Sequence, residues 1–182
     1  QKVIIDRLGI SSGRFISLAA EGHAVNPTDL RKLNASLTFS GSMQDPAPAM
    51  QLLRQLSAAT TGVRVPKFAI SGTAQAIGRS YSADIALRSP AGNVAAKGSV
   101  ALGPESYDLD ARLASLSLGE VMPSLGLGTI SGTIHASGTG FNPAHPGASA
   151  TMKASMQELS YNGCTLAPLS LDAEINHGEY GI

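Results

Sequence analysis

Residues Ser80–Arg88 read SYSADIALR, and in this stretch small or apolar side chains alternate with polar ones. Tyr81, Ala83, Ile85 and Leu87 occupy every second position, and mostly polar residues lie between them. A spacing of two is typical of a β-strand, whose successive side chains point to opposite faces. The stretch therefore predicts a strand with one half-buried apolar face and one wet polar face.

The same alternation recurs along most of the chain. Segments 89–93, 103–106 and 142–147 separate the runs and supply the Pro, Gly and Asn residues that turns require. Such short links favour antiparallel neighbours, and strands of ~10 residues at ~3.3 Å per residue are longer than usual. We predict an all-β fold of long antiparallel strands in a continuous extended sheet, with one or two short helices. We predict eight strands or more, with alternating runs at residues 33–39, 68–74, 81–87, 94–102, 107–113, 130–136, 148–156 and 169–175.

Two segments depart from the alternation. Between Pro46 and Thr61 the apolar residues fall at helical spacing, and the pair Asp45-Pro46 is a typical helix start. This predicts one amphipathic helix. The second segment, Leu118–Leu125, contains Pro123 and should make no more than a turn or two of helix.

A repeated phrase follows each predicted helix. Residues Ile70–Gly78 read ISGTAQAIG, and Ile130–Gly138 read ISGTIHASG, so six of nine positions are identical. Similarity at a fixed offset favours stacked structural units, each burying its face against the next. We predict approximate units at 14–62, 63–125 and 126–182, within a single fragment 1–182 of a repeat-built β domain.

Composition excludes several classes of function. The 13 basic residues balance 13 acidic ones without a Lys/Arg cluster, so nucleic acid is not an expected partner. Cys164 is the only cysteine, which rules out an intrachain disulfide and a thiolate zinc site, and we expect it to be buried or half-buried. No run approaches the ~18 apolar residues of a membrane helix, and the chain opens in mid-pattern, as a fragment would.

No motif in the sequence predicts catalysis. No Gly-x-Ser-x-Gly sequence lies between a predicted strand and a predicted helix, as a nucleophile elbow requires, and the four histidines are far apart in sequence, with no carboxylate at metal-ligand spacing. Asp108 and Asp110 lie two apart on one predicted strand and face the wet side, which favours solvated carboxylates over acid–base or calcium chemistry. We therefore expect no enzyme activity, no cofactor and no metal centre.

The apolar face of the strands has two possible roles. If the sheet packs against a second layer, this face is ordinary core. If the sheet curls without closing, the same residues line a trough, and the abundant Ala and Gly leave room in it for apolar ligands. The sequence leaves both alternatives open.

Several stretches carry a resemblance to a known family. They are Val65–Gly92, Leu116–Met122, Gly128–Pro143, Leu159–Gly163 and Leu169–Ile175, and the region 65–175 that encloses them spans roughly three fifths of the chain. Through them the chain resembles the AsmA-like superfamily of bacterial envelope proteins, and within it the TamB-type translocation and assembly module proteins.

The resemblance implies a location and a role. It implies a periplasmic body of repeated β units in a Gram-negative cell, belonging to a parent protein anchored in the inner membrane. The fold that the resemblance implies is a bent, repeat-built open sheet, or gutter, with an apolar lining that moves phospholipids towards the outer membrane or helps to assemble outer-membrane proteins. Phospholipid acyl chains are then the expected ligand, and outer-membrane assembly proteins are expected partners through the parent chain. The resemblance carries over no catalytic residues.

The candidate lining follows from the alternation. An acyl chain needs a dry path about as long as itself, which long strands set side by side supply without buried polar groups. The alternative is a structural or adhesin-like β-repeat module with a solid core and no ligand path. The ten candidate lining residues are Ile85, Leu87, Leu109, Leu113, Ile130, Ile134, Met152, Met156, Leu169 and Leu171.

Overall fold

The computed structural model describes residues 2–13, 15–48, 50–51, 63–142, 147–166, 168–176 and 179–181. Twelve strands lie within these residues, and most contain 10 to 13 residues. The strands are β1 (Lys2–Ser12), β2 (Ile16–Val25), β3 (Asn34–Met43), β4 (Phe68–Ile77), β5 (Ser80–Ser89), β6 (Gly92–Ala101), β7 (Ser106–Ser117), β8 (Leu127–Thr139), β9 (Ser149–Tyr161), β10 (Cys164–Leu166), β11 (Leu169–Asn176) and β12 (Glu179–Gly181).

These strands form one open antiparallel sheet. From β1 to β9 each strand pairs with the next one in the chain, β11 then pairs with β9, and β12 pairs with β11. The short strand β10 pairs with the end of β9, beside β11. The first and last strands of this order do not pair with each other, so the sheet is not closed. The predicted fold class, a long-stranded open antiparallel β-sheet, is confirmed.

The alternating runs correspond to β3–β9 and β11, whereas β1 and β2 were not predicted. In β1, Val3, Ile4 and Ile5 are consecutive apolar residues, and a register irregularity separates Ile5 from Leu8. Both features disturb the spacing of two. In β2 the alternation is present but consists largely of alanine and glycine, which give a weak hydrophobic signal.

The helical segments are short. Residues 47, 48, 50 and 51 are helical, and the Met50 amide donates to the Pro46 carbonyl at 3.0 Å. The rest of the helix predicted between Pro46 and Thr61 lies outside the described residues. The second prediction is confirmed, because α1 (Leu118–Val121) is a single turn followed by a 3₁₀ turn at Pro123–Leu125. No helix among the described residues is long and apolar enough to cross a membrane.

The sheet is a single layer over the described part of the chain. Among the described hydrophobic residues only Met43, Ala91, Ile130 and Ala148 are buried. Three of them lie at or beside strand ends, and Ile130 lies near the start of β8, the strand that α1 contacts. The remaining apolar side chains are half-buried or exposed. Most of the apolar face is therefore uncovered.

Candidate functional site

Register aligns the apolar side chains of successive strands in transverse rows. Residues directly opposite each other in an antiparallel sheet point to the same face, so such a row crosses the sheet on one side. Small residues occupy the middle of one row, which has leucines at both ends. This row consists of Leu37, Ala74, Ala83, Gly98 and Leu109, on β3 to β7.

A groove of about 720 Å³ lies along this face. Its lining runs from Ile5 on β1 to Leu109 on β7, and seven successive strands can line one groove only if the sheet is concave there. Ala74, Ala83 and Gly98 form a floor of small side chains, and larger side chains rise beside it. The larger neighbours in the lining are Leu37, Tyr81, Ile85, Val100, Tyr107 and Leu109.

The ten predicted lining residues all lie on the face that contains this groove. One row joins Leu87, Leu113, Met156 and Leu169, a second joins Ile85, Ile134 and Leu171, and a third joins Leu109 and Met152. Ile130 is on the same face but is buried, at 8% exposure. Only Ile85 and Leu109 line the groove itself, and the others continue the apolar surface along β5 and towards β11.

The sequence prediction did not include the lining residues that β1, β2 and β3 contribute to the groove. Ile5 and Leu37 lie on strands that supplied no candidates, although Leu37 was already part of an alternating run. The floor of Ala and Gly was also not predicted as a site. Small residues on separate strands leave space for a ligand only where the register places them side by side, and the sequence does not show that register. The solid core required by the adhesin-like alternative is not seen among the described residues, where one face of a single sheet stays open.

The opposite face carries a row of charged side chains. Register joins β5, β6, β7, β8, β9 and β11 in one line of three aspartates, two lysines and a histidine. A second depression, of about 600 Å³, lies on this face and is lined by all members of the row. The row consists of Asp84, Lys97, Asp110, His135, Lys153 and Asp172.

His135 lies between two carboxylates, that of Asp110 in this row and that of Asp108 beside it. Its Nδ1 atom is 2.9 Å from Asp110 Oδ1, and its Nε2 atom is 3.9 Å from Asp108 Oδ2. One ligand atom from each of the three residues lies within 4.8 Å of the other two. The sequence placed Asp108 and Asp110 on the wet face but predicted no partner for His135, because the pairing of β7 with β8 is what brings it to the two aspartates.

Among the described residues, His23 and Cys164 do not join this cluster. His23 lies on β2, and the other two histidines, His145 and His177, lie outside the described residues. Cys164 is exposed, so the prediction that it is buried or half-buried is wrong. It begins β10, a three-residue strand that pairs with β9 alone, and this position leaves its side chain open to solvent.

Comparisons of the chain with protein-family models, with curated proteins and with solved structures find no match. Function is therefore inferred from the geometry of the two faces.

Proposed function

We propose that this chain is a non-catalytic segment of a lipid conduit in the bacterial periplasm, and that its apolar groove holds phospholipid acyl chains. The observation that carries this proposal is the groove over β1–β7, which is apolar, concave and uncovered in the described structure. In this role the segment takes part in phospholipid transport between the inner and outer membranes or in outer-membrane assembly.

The dimensions of the groove suit an acyl chain. Seven strands spaced ~4.8 Å apart span ~29 Å across the sheet. A bilayer core of ~30 Å holds two acyl chains end to end, so one chain needs about half that length. The volume of about 720 Å³ lies within the range of small-molecule sites, ~300–1,000 Å³.

The chemistry of the lining also suits an acyl chain. Each methylene removed from water contributes about 0.8 kcal/mol, so an uncovered apolar trough attracts a chain without any specific polar contact. Ala74, Ala83 and Gly98 leave space on the floor, and Tyr81 and Tyr107 supply large contact areas beside it. No buried polar side-chain atom lacks a hydrogen-bond partner in the described residues, so the ligand need not satisfy any.

The location and partners rest on the resemblance to the AsmA-like superfamily. A conduit between the two membranes must cross the periplasm, and a TamB-type parent protein would hold this segment there. Contacts with outer-membrane assembly proteins would then be made through the parent chain.

Two substitutions on adjacent residues of β5 test the proposal. Ala83 lies on the groove floor. Ser82 also borders the groove, but its exposed side chain points to the opposite, wet face by the alternation of the strand. The chain is produced in the periplasm of a Gram-negative host, purified without detergent, and analysed for bound phospholipid by native mass spectrometry and by lipid extraction. We expect phospholipid on the wild-type chain and on Ser82→Glu, and at least a tenfold loss on Ala83→Glu, because a carboxylate on the floor makes the trough polar.

Urea unfolding of both variants shows whether each remains folded. If Ala83→Glu unfolds, Ala83→Phe replaces it, because a phenyl ring fills the floor without adding charge. Phospholipid that is missing from the wild-type chain, or equally abundant on folded groove variants and on Ser82→Glu, would overturn the proposal.

A further inference from the structure

The hydrogen bond between Asp110 and His135 determines which imidazole nitrogen is free. An ionised carboxylate can only accept, so the Nδ1–H group of His135 donates to Asp110 Oδ1, at 2.9 Å. In the neutral ring Nε2 then carries no hydrogen, and its lone pair is available to bind a ligand. Metal-binding histidines are commonly oriented in this way, with the non-ligating nitrogen donating to a carboxylate.

Asp108 lies at the free nitrogen. Its Oδ2 atom is 3.9 Å from His135 Nε2, which is too long for a hydrogen bond between the two atoms. Two ligand atoms that each lie ~2.1 Å from a tetrahedral zinc ion are about 3.4 Å apart. The observed gap therefore needs to close by about half an ångström. Both side chains are about half exposed, at 42% and 52%, and have room to make this adjustment.

We propose that His135 Nε2 and Asp108 Oδ2 bind a divalent transition-metal ion, with zinc as the best match, and that Asp110 orients the imidazole ring. Water completes the coordination, since Asp110 and His135 line the depression on the wet face and Asp108 is exposed beside them. The site lies on the face opposite the lipid groove. It is a separate property of the chain and does not depend on lipid binding.

The choice of metal follows from the ligands. Imidazole binds zinc, copper and nickel well, whereas magnesium and calcium prefer sites made only of oxygen atoms. The two aspartates supply negative charge beside the imidazole. Lys97 and Lys153 face the cluster from β6 and β9, which lowers the affinity, although Lys153 is also 4.0 Å from Asp172.

Zinc titration of the purified chain tests the site. The side-chain nitrogen resonances of its histidines are followed by long-range ¹H–¹⁵N correlation NMR, and the affinity is measured by calorimetry. We expect zinc to shift His135 Nε2 selectively, and magnesium at the same concentration to leave it unchanged. His135→Asn identifies the resonance and removes the binding.

Three aspartate variants separate the roles within the row. Asp108→Asn should weaken zinc binding at least tenfold through loss of a ligand, and Asp110→Asn should weaken it ~10–100-fold through loss of ring orientation. Asp84→Asn is the matched control, because it removes the same charge from the same row two strands from Asp110, and should change the affinity less than twofold.

The three cluster residues are exposed or half-exposed, so these variants should unfold at the same urea concentration as the wild-type chain. The proposal is overturned if zinc leaves His135 Nε2 unshifted. It is also overturned if His135→Asn binds zinc as tightly as the wild-type chain, or if Asp84→Asn weakens binding as much as Asp108→Asn.

Discussion

Glycines of the repeated phrase provide space for side chains of neighbouring strands. A Cβ atom on Gly132 would lie 2.6 Å from Met156 Sδ and 2.5 Å from the Ser155 carbonyl oxygen. At the equivalent position of the first copy, a Cβ atom on Gly72 would lie 2.8 Å from Phe39 Cζ. The repeat therefore preserves a position where the sheet has no room for a side chain.

Gly132→Ala should lower the free energy of unfolding by about 1–3 kcal/mol, as is usual for an added methyl group in a filled site. The Met156 side chain can rotate away, but the Ser155 carbonyl belongs to the backbone and cannot. Urea unfolding measures the difference. Gly103→Ala is the control, because a Cβ atom there meets nothing within 4 Å. Equal losses in the two variants would contradict the steric explanation.

At the residue scale, the sequence predicted which side chains share a face but not which of them meet. The spacing of two placed Asp108 and Asp110 on the wet face, and they are exposed there. The meeting of His135 with these aspartates depends on cross-strand register, which the turns and bulges establish over 25 residues of chain. Nothing within either strand alone encodes that register.

At the element scale, a bulge in β7 interrupts the pairing with β8. The register shifts between Leu113 and Leu116, and Ser115 adopts a positive φ of 49°. The Ser115 amide donates to Ser131 Oγ at 3.0 Å, and Ser131 Oγ donates in turn to Glu158 Oε2 at 3.0 Å. One serine hydroxyl thus satisfies the amide that the bulge removes from the ladder.

Ser131→Ala should destabilise the chain by about 1 kcal/mol, because it removes the acceptor for the Ser115 amide. The repeat supplies a matched control, since Ser71 occupies the same position of the phrase on β4. The pairings of β4 with β3 and with β5 contain no register shift. Ser71→Ala should therefore lower the free energy of unfolding by less than ~0.5 kcal/mol. Chemical denaturation followed by circular dichroism compares the two variants. A loss at Ser71 as large as that at Ser131 would show that the bulge is not what the hydroxyl supports.

Strands with regular alternation were predictable, and irregular ones were not. β3–β9 and β11 alternate in sequence, whereas β1 contains a register irregularity that shifts its apolar positions by one. The single turn of α1 was also predictable, because Pro123 interrupts the helical spacing immediately after it. The bulge in β7 was not predictable from the sequence. Its residue with positive φ is a serine, and only glycine or asparagine at such a position would indicate a bulge.

At the scale of the whole molecule, the chain exposes far more surface than a compact protein of its size. Its accessible area is 11778 Å², whereas a compact monomer of 18.6 kDa exposes ~8,200 Å². A single sheet with two open faces explains the excess. Alternation alone could not predict it, because an apolar face has the same pattern whether a second layer covers it or not.

A ligand that covers the apolar face should stabilise the entire sheet. Lysophosphatidylcholine, added below its critical micelle concentration, should raise the free energy of unfolding by ~2.7 kcal/mol when its free concentration is about 100 times Kd. Phosphocholine, which has the same headgroup but no acyl chain, should have no effect, and Ala83→Glu should abolish the gain because the carboxylate lies on the groove floor. Thermal unfolding of the wild-type chain, Ala83→Glu and Ser82→Glu at increasing ligand concentration measures these differences. If phosphocholine without an acyl chain also stabilises the protein, the effect comes from binding to the charged face. If lysophosphatidylcholine stabilises Ala83→Glu and Ser82→Glu equally, the acyl chain binds outside the groove.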